Sequence, residues 1–363
     1  MYISTHQALL DFCQRAREFD AIAVDTEFLR ERTFHPRLCL VQIATPAESV
    51  AVDPLVIDDL SPLAELMADE SVTKVFHACS QDMEVMLHTV GVLPRPIFDT
   101  QVLLRAMQYA ATFGYAIRLQ PQDHYLARDG VAHDGEVASR LGLSGIPVCA
   151  ETLAISTALH LAEETGVRLH LSKLSSGAGV ALVREARNNG VKVSCDVAIH
   201  HLHLSETDIG FFDSHARFDP PLRSATDQEA LRSAVAEGLA VVCSDHTPVD
   251  EDGKQLPFGE ALPGAIGLEL LLPLVLKWAE EEKVSLLTAL SRVTCDPAAI
   301  LGIDAGSIGV GKPADICVFD PQESWRVSLE TLRSQGKNTP CMGWEVRGRV
   351  CATLVSGRVV FER

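Results

Sequence analysis

The stretch Val167-Arg168-Leu169-His170-Leu171, a helical pattern over 178–188, Gly190, and then Val191-Lys192-Val193-Ser194-Cys195 decides the fold of most of this chain. An apolar run of strand length, a helix and a second such run make the repeating unit of a parallel sheet, because parallel strands need a crossover between them. Gly190 stands just past the helix, where a left-handed residue ends it at least cost. The alternation continues in both directions. Upstream, Tyr115-Ala116-Ile117-Arg118-Leu119 reads as a strand before a helix over 151–165. Downstream, Thr226-Asp227-Gln228-Glu229 reads as a capping box opening a helix that Gly238 closes. Leu239-Ala240-Val241-Val242-Cys243 is a fourth strand, with helices near 267–282 and 286–293 beyond it. A closed barrel of this class needs eight strands. The pattern therefore predicts a partial TIM (β/α) barrel over 102–310. Lys173, His200, His201, Asp245 and His246 follow the strand ends, where such a barrel keeps its chemistry. Strands near 316–319 and 349–361, the latter turned at Ser356-Gly357, predict a small β appendage over 311–363.

Residues 1–101 have a different rhythm. Ala21-Ile22-Ala23-Val24-Asp25, Leu38-Cys39-Leu40-Val41-Gln42-Ile43, Val50-Ala51-Val52 and Lys74-Val75-Phe76-His77 are short strands set close together. Such spacing predicts hairpin-joined antiparallel pairing in an α/β sheet. Ser61-Pro62 reads as a helix cap followed by proline at the first helical position.

Composition narrows the function. The 363 residues, 47% hydrophobic and 22% charged, suit a globular protein of two or three domains. Net charge is -18, and residues 1–101 hold 16 acids against 7 bases. A nucleic-acid binder normally presents a basic face. RNA would be approached here only through bound metal ions or a local patch. The most apolar run, 270–276, is far too short to span a bilayer. The N-terminus lacks the pattern of a signal peptide, and ten cysteines without a CxxC pair read as reduced cytoplasmic thiols.

Asp25-Thr26-Glu27 ends a strand, and residues two apart on a strand share a face. Asp82 follows another strand. Acids so placed suit two hard divalent ions that activate water for phosphodiester cleavage, although a DxE on a strand also suits a solvated edge. Ala21 to Phe28, Arg32-Thr33-Phe34-His35-Pro36, Leu40-Val41-Gln42-Ile43, the run 77–86 and Phe98-Asp99-Thr100-Gln101 together resemble ribonuclease D. The resemblance implies a 3′–5′ exoribonuclease on a ribonuclease H-like mixed sheet, with Asp25, Glu27 and Asp82 as three of four acids holding Mg²⁺ or Mn²⁺. It stops after Gln101. The fourth acid belongs to a Tyr-x-x-x-Asp motif on a later helix. Tyr125 to Asp129 fits that motif in letters, but it comes early and runs into Gly130.

From about residue 102 the chain resembles dihydroorotase, of the amidohydrolase superfamily. The runs that carry this are Asp134 to Pro147, Asp219-Pro220-Pro221-Leu222-Arg223-Ser224, Ser244-Asp245-His246-Thr247-Pro248, Pro263 to Glu269, Gly311-Lys312-Pro313-Ala314-Asp315 and Lys337-Asn338-Thr339-Pro340. The resemblance implies pyrimidine biosynthesis and zinc-activated water. It also implies that the metal-binding His-x-His strand is absent, and that two further metal histidines fall at Gln120 and Lys173. Asp245 stands at the catalytic aspartate, Asp219 at the substrate-binding asparagine, and Val249 at a substrate-side histidine. A protonated lysine repels Zn²⁺ and offers it no lone pair, so zinc is not expected. Lys173 would instead pair with Asp245 in place of the ion. His200 and His201, read as strand neighbours facing opposite sides, are expected to be structural. Non-catalytic dihydroorotase-like proteins serve as scaffolds for aspartate transcarbamoylase, which implies that enzyme as a partner. Metal-dependent exoribonuclease and active zinc dihydroorotase are the other readings. The two resemblances meet over 99–107 with no linker, as in a chimera of incomplete pieces.

Overall fold

Residues 1–29, 37–76, 80–95, 97–99 and 102–363 are described by the structure, a computed structural model. Arg32 to Pro36, His77-Ala78-Cys79 and Thr100-Gln101, all part of the ribonuclease D resemblance, lie outside the described residues. The chain divides into two units, Met1–Tyr109 and Ala110–Arg363.

The first unit contains strands β1 (Tyr2–Ile3), β2 (Ala21–Leu29), β3 (Arg37–Ala44), β4 (Ser49–Val52), β5 (Thr73–Phe76) and β6 (Ile97–Asp99). Helices α1 (His6–Ala16), α2 (Ser61–Ala68), α3 (Ser80–Thr89) and the start of α4 (Val102–Thr112) accompany them. The strands form one sheet in the order β1-β4-β3-β2-β5-β6. The expected hairpins are present, with β2–β3 and β3–β4 antiparallel. Parallel pairs flank them at β1–β4, β2–β5 and β5–β6, so the sheet is mixed. Ile22, Val24 and Thr26 are buried while Ala23, Asp25 and Glu27 are exposed, the period-two pattern of a strand with one covered face. Helix α1 covers the sheet with Leu9, Phe12, Cys13 and Ala16, at the spacing of a single helical stripe. Ser61 is the first residue of α2 rather than its cap, and no side chain caps that helix.

The second unit is built on a four-stranded parallel sheet, β7 (Ala116–Leu119), β10 (Arg168–Leu171), β11 (Val193–Ala198) and β12 (Ala240–Cys243), with β8 (Ala132–His133) and β9 (Gly145–Ile146) paired beside it. The sheet order is β12-β11-β10-β7. Helices α5 (His124–Ala127), α6 (Glu136–Leu141), α7 (Val148–Thr165), α8 (Gly177–Asn188), α9 (Ala225–Glu237), α10 (Glu251–Gln255), α11 (Leu271–Glu281), α12 (Leu286–Ser291) and α13 (Cys295–Leu301) follow in chain order. Helix α9 is capped by Ser224, whose hydroxyl accepts from Asp227 N at 3.2 Å; the expected box at Thr226 is displaced by two residues. Gly190 and Gly238 take the left-handed conformation after their helices, at φ +86° and +80°. The appendage is an antiparallel sheet of β13 (Ile316–Arg326), β14 (Glu345–Val355) and β15 (Arg358–Glu362), turned at Ser356-Gly357 as expected. Tyr125 lies in the four-residue α5 and Asp129 beyond it at φ +59°, so this pair shares no helix.

His200 and His201 are not on a strand. They sit in a 3-10 turn, Ile199–Leu202, directly after β11. A turn of three residues does not send neighbours to opposite faces, and both rings are buried against Phe218, with centroids 5.1 and 5.8 Å away. Their Nε2 atoms lie 3.1 Å from the carbonyl oxygens of Ile266 and Pro220, so Nε2 carries the proton in each. His203 Nε2 likewise meets the Leu274 carbonyl at 2.9 Å. Burial pushes His200 and His203 down to about 4 from an ordinary value of 6.5. The unfolded chain therefore takes protons that the fold refuses. Stability from these groups is complete above about pH 6.5 and is lost as pH falls towards 4, by up to about 3 kcal/mol per histidine. Thermal melts from pH 7 to 4.5 should show this loss, and His203→Gln should make the slope shallower.

Candidate functional site

In the first unit, Asp25 and Glu27 both stand on the exposed face of β2. Asp82, in the first turn of α3, is buried. It accepts a hydrogen bond from the hydroxyl of Thr26, whose side chain lies on the opposite face of β2 from the two exposed acids. Burial raises the Asp82 pKa, the Thr26 hydroxyl works against that, and the charge of Asp25 raises it further. Among the described residues no three His, Cys, Asp or Glu side chains are grouped to hold an ion.

In the second unit, the C-terminal ends of β7, β10 and β12 bring Gln120, Lys173 and Asp245 to one cleft of about 550 Å³. Arg118, Ser172, Cys243, Ser244 and His246 complete its lining. Lys173 Nζ lies 3.3 Å from Asp245 Oδ1 and donates to the Asp219 carbonyl oxygen at 2.8 Å. The two charged side chains are 17% and 9% exposed, so little water screens the pair. Its backbone is unusual. Lys173 has φ +58° and Asp245 φ +42°, conformations that cost a residue with a Cβ roughly 1–2 kcal/mol.

Asp196 on β11 holds the first of these in place, because its Oδ1 accepts from Lys173 N at 2.9 Å. Its Oδ2 meets His170 Nε2 at 2.8 Å, and His170 Nδ1 meets Ser194 Oγ at 2.9 Å. Burial raises the Asp196 pKa, but hydrogen bonds from His170, Cys243 and the Lys173 amide outweigh it and hold it below the ordinary value. On the β12 side, His246 Nδ1 accepts from the backbone N–H groups of Gly267 and Leu268 at 3.1 and 3.3 Å. Gly267 is required there, since a Cβ would stand 1.8 Å from the Ser244 carbonyl oxygen.

The other expected positions are placed differently. Asp219 reaches Lys173 through its carbonyl, and its side chain is exposed. Val249 is tied by its N–H to Asn338 Oδ1 at 3.0 Å and lines a separate cleft of about 1010 Å³. Zinc does not fit the donors of the Asp245 cleft. Lys173 has no lone pair to give, Gln120 is a weak donor, Asp245 is already neutralised, Cys243 is hydrogen-bonded to Asp196, and His246 Nδ1 is taken by two backbone N–H groups. Arg118, His170 and Asp196 were not picked out by sequence reasoning as site residues. Arg223, in the Pro-Pro-Leu-Arg run, is buried and donates to Ser175 Oγ at 3.1 Å, close to the buried carboxylate of Glu151, which makes it part of the scaffold.

Comparison with known proteins finds two families along the chain. Residues 1–120 match the family described as 3′–5′ exonuclease, and residues 128–360 the amidohydrolase family. A dihydroorotase of Geobacter sp. (strain M21) is 38% identical over 74% of this chain and 63% of its own length. A dihydroorotase-like protein of Pseudomonas aeruginosa is 43% identical over 73% of this chain and 62% of its own. The chain thus spans less than two thirds of the curated relatives it matches. The L-hydantoinase of Arthrobacter aurescens shares the fold with a TM-score of 0.66 at 24% identity, over 80% of this chain and 70% of that one. By residues 128–360, more than half of its 363 residues, the chain belongs to the amidohydrolase family.

Proposed function

We propose that the second unit is a non-catalytic, dihydroorotase-like protein of pyrimidine biosynthesis that acts as an assembly partner of aspartate transcarbamoylase. The observation that carries this reading is the Lys173–Asp245 ion pair. Its ammonium group neutralises the aspartate that would otherwise serve a catalytic ion, and does so where the described residues form no group of three ion-binding side chains. The exonuclease-like first unit is joined to it as a chimera of two part-length pieces, and the whole is a cytoplasmic protein.

The pair is tested by Lys173→Ala, which leaves Asp245 largely buried and unpaired and should destabilise the second unit by about 3 kcal/mol. The unmodified chain should show no dihydroorotate hydrolysis with or without added zinc. Unchanged melting of Lys173→Ala, or zinc-dependent turnover, would contradict the reading. Mixed at micromolar concentration with aspartate transcarbamoylase, the full chain should co-elute with it in size-exclusion chromatography; separate peaks would remove the partner.

A second reading, a metal-dependent 3′–5′ exoribonuclease, is favoured by one observation: Asp25 and Glu27 share an exposed face of β2, close enough to Asp82 for the charge of Asp25 to raise its pKa. On this reading Mg²⁺ or Mn²⁺ supports trimming of RNA from its 3′ end. Asp25→Ala should abolish that trimming, and RNA left intact in both metals would exclude the activity.

A further inference from the structure

The other end of the same sheet carries a different cleft, of about 360 Å³, where β7, β10 and β11 begin. Arg168, Arg187 and Lys192 line it, and among the described residues the lining contains no carboxylate. Leu169 and Val193 are register partners, so Arg168 and Lys192, each one residue earlier, stand side by side. Like charges so placed repel, and nothing in the fold neutralises them. Each cation is instead tethered to a backbone carbonyl. Arg168 Nη2 donates to Gly114 at 3.0 Å, Arg187 Nη1 to Leu239 at 3.1 Å, and Lys192 Nζ to Gly166 at 3.4 Å. A carbonyl carries no net charge, and each tether takes one N–H of the several that a guanidinium or ammonium offers. The tethers therefore fix the cations in place and leave their charge and their remaining donors free. His170 also lines the cleft, but its ring is engaged by Asp196 and Ser194.

The charges decide what such a cleft receives. Three positive charges without a partner are a sharp local excess in a chain of net charge -18. A phosphate group carries about -1.5 to -2 charges near neutral pH, so one falls short and two linked phosphates are needed to answer three cations. Diphosphate oxygens accept on every side, which suits two guanidinium forks and an ammonium converging on one small volume. Ala299 and Ile300 of α13 supply an apolar wall beside them, against which a carrier of the group could rest. We propose that this cleft binds a diphosphate group, as free pyrophosphate or at the end of a nucleoside diphosphate, gripped by Arg168, Arg187 and Lys192. The site makes no use of Lys173 or Asp245, so it goes beyond the function proposed above and does not depend on it.

The test is calorimetric titration of the full chain with pyrophosphate at low ionic strength. Chain and buffers are first passed over a chelating resin, so that no divalent ion bridges the anion to acidic side chains. Pyrophosphate should bind saturably. Inorganic phosphate, which is short of charge, and citrate, which spreads its charge over separate carboxylates, should bind about tenfold more weakly or worse. ADP separates the two sources: tighter binding than pyrophosphate assigns the site to a nucleotide, and equal or weaker binding assigns it to the free anion. Arg168→Gln and Arg187→Gln should each weaken pyrophosphate by about tenfold. Both residues are exposed, so the variants should keep the circular dichroism spectrum and melting temperature of the parent. Arg140→Gln, on the exposed side of α6 and outside the cleft, removes the same charge and should leave the affinity unchanged. Absence of saturable pyrophosphate binding, phosphate or citrate binding as tightly, unchanged affinity in the Arg168 and Arg187 variants, or an equal loss in Arg140→Gln would overturn the proposal.

Discussion

The ammonium group of Lys173 lies within ion-pairing distance of the Asp245 carboxylate, and the rest of the second unit is arranged so that it does. Strands β10 and β12 are two places apart in the sheet, with β11 between them. Each delivers its residue two positions past its last strand residue, on a left-handed backbone that a side chain with a Cβ adopts only when its surroundings insist. Asp196 on the intervening strand fixes the Lys173 end through the backbone amide. At the Asp245 end, Gly267 allows close passage under Ser244 and holds the His246 ring. A charge pair this little exposed is stable only when complete. Removing one partner strands the other, whereas an ion-binding site needs the carboxylate free and further lone pairs around it.

Much of this was legible in the sequence. The strand–helix alternation from Ile117 to Cys243 gave the parallel sheet, because each period is set by local chemistry: apolar runs of strand length, capping hydroxyls and glycines after helices. The pairing of Lys173 with Asp245 was readable from their matched positions after strand ends, since a lysine and an aspartate at the mouth of one sheet have few better partners in a low dielectric. The single-turn details were not. Ser224 and Thr226 are both good caps, and nothing local distinguishes them; in the fold it is Ser224 whose hydroxyl accepts from Asp227 N. His200 and His201 read as strand residues because the apolar run of β11 flows into them without a turn signal. The 3-10 turn there is imposed by carbonyls of Pro220 and Ile266, which come from distant parts of the chain.

The first unit shows the limit of pattern reading more sharply. Alternation placed Asp25 and Glu27 on one face, and the sheet places them so. Asp82 came from a different element, and its partner could not be read from spacing. It meets Thr26, the residue between the two acids, whose hydroxyl faces the other way. Arg118 was missed for the opposite reason. One arginine between Ile117 and Leu119 reads as the solvent side of a strand, and only the geometry places it in the wall of the cleft.

The account stands on the claim that lysine has taken the place of an ion. The most direct measurement is the zinc content of the reduced, full chain after equilibration with zinc and a competing chelator strong enough to strip isolated thiols. The account predicts close to zero zinc per chain, unchanged by Asp245→Asn. A full equivalent of zinc that disappears in Asp245→Asn would contradict it.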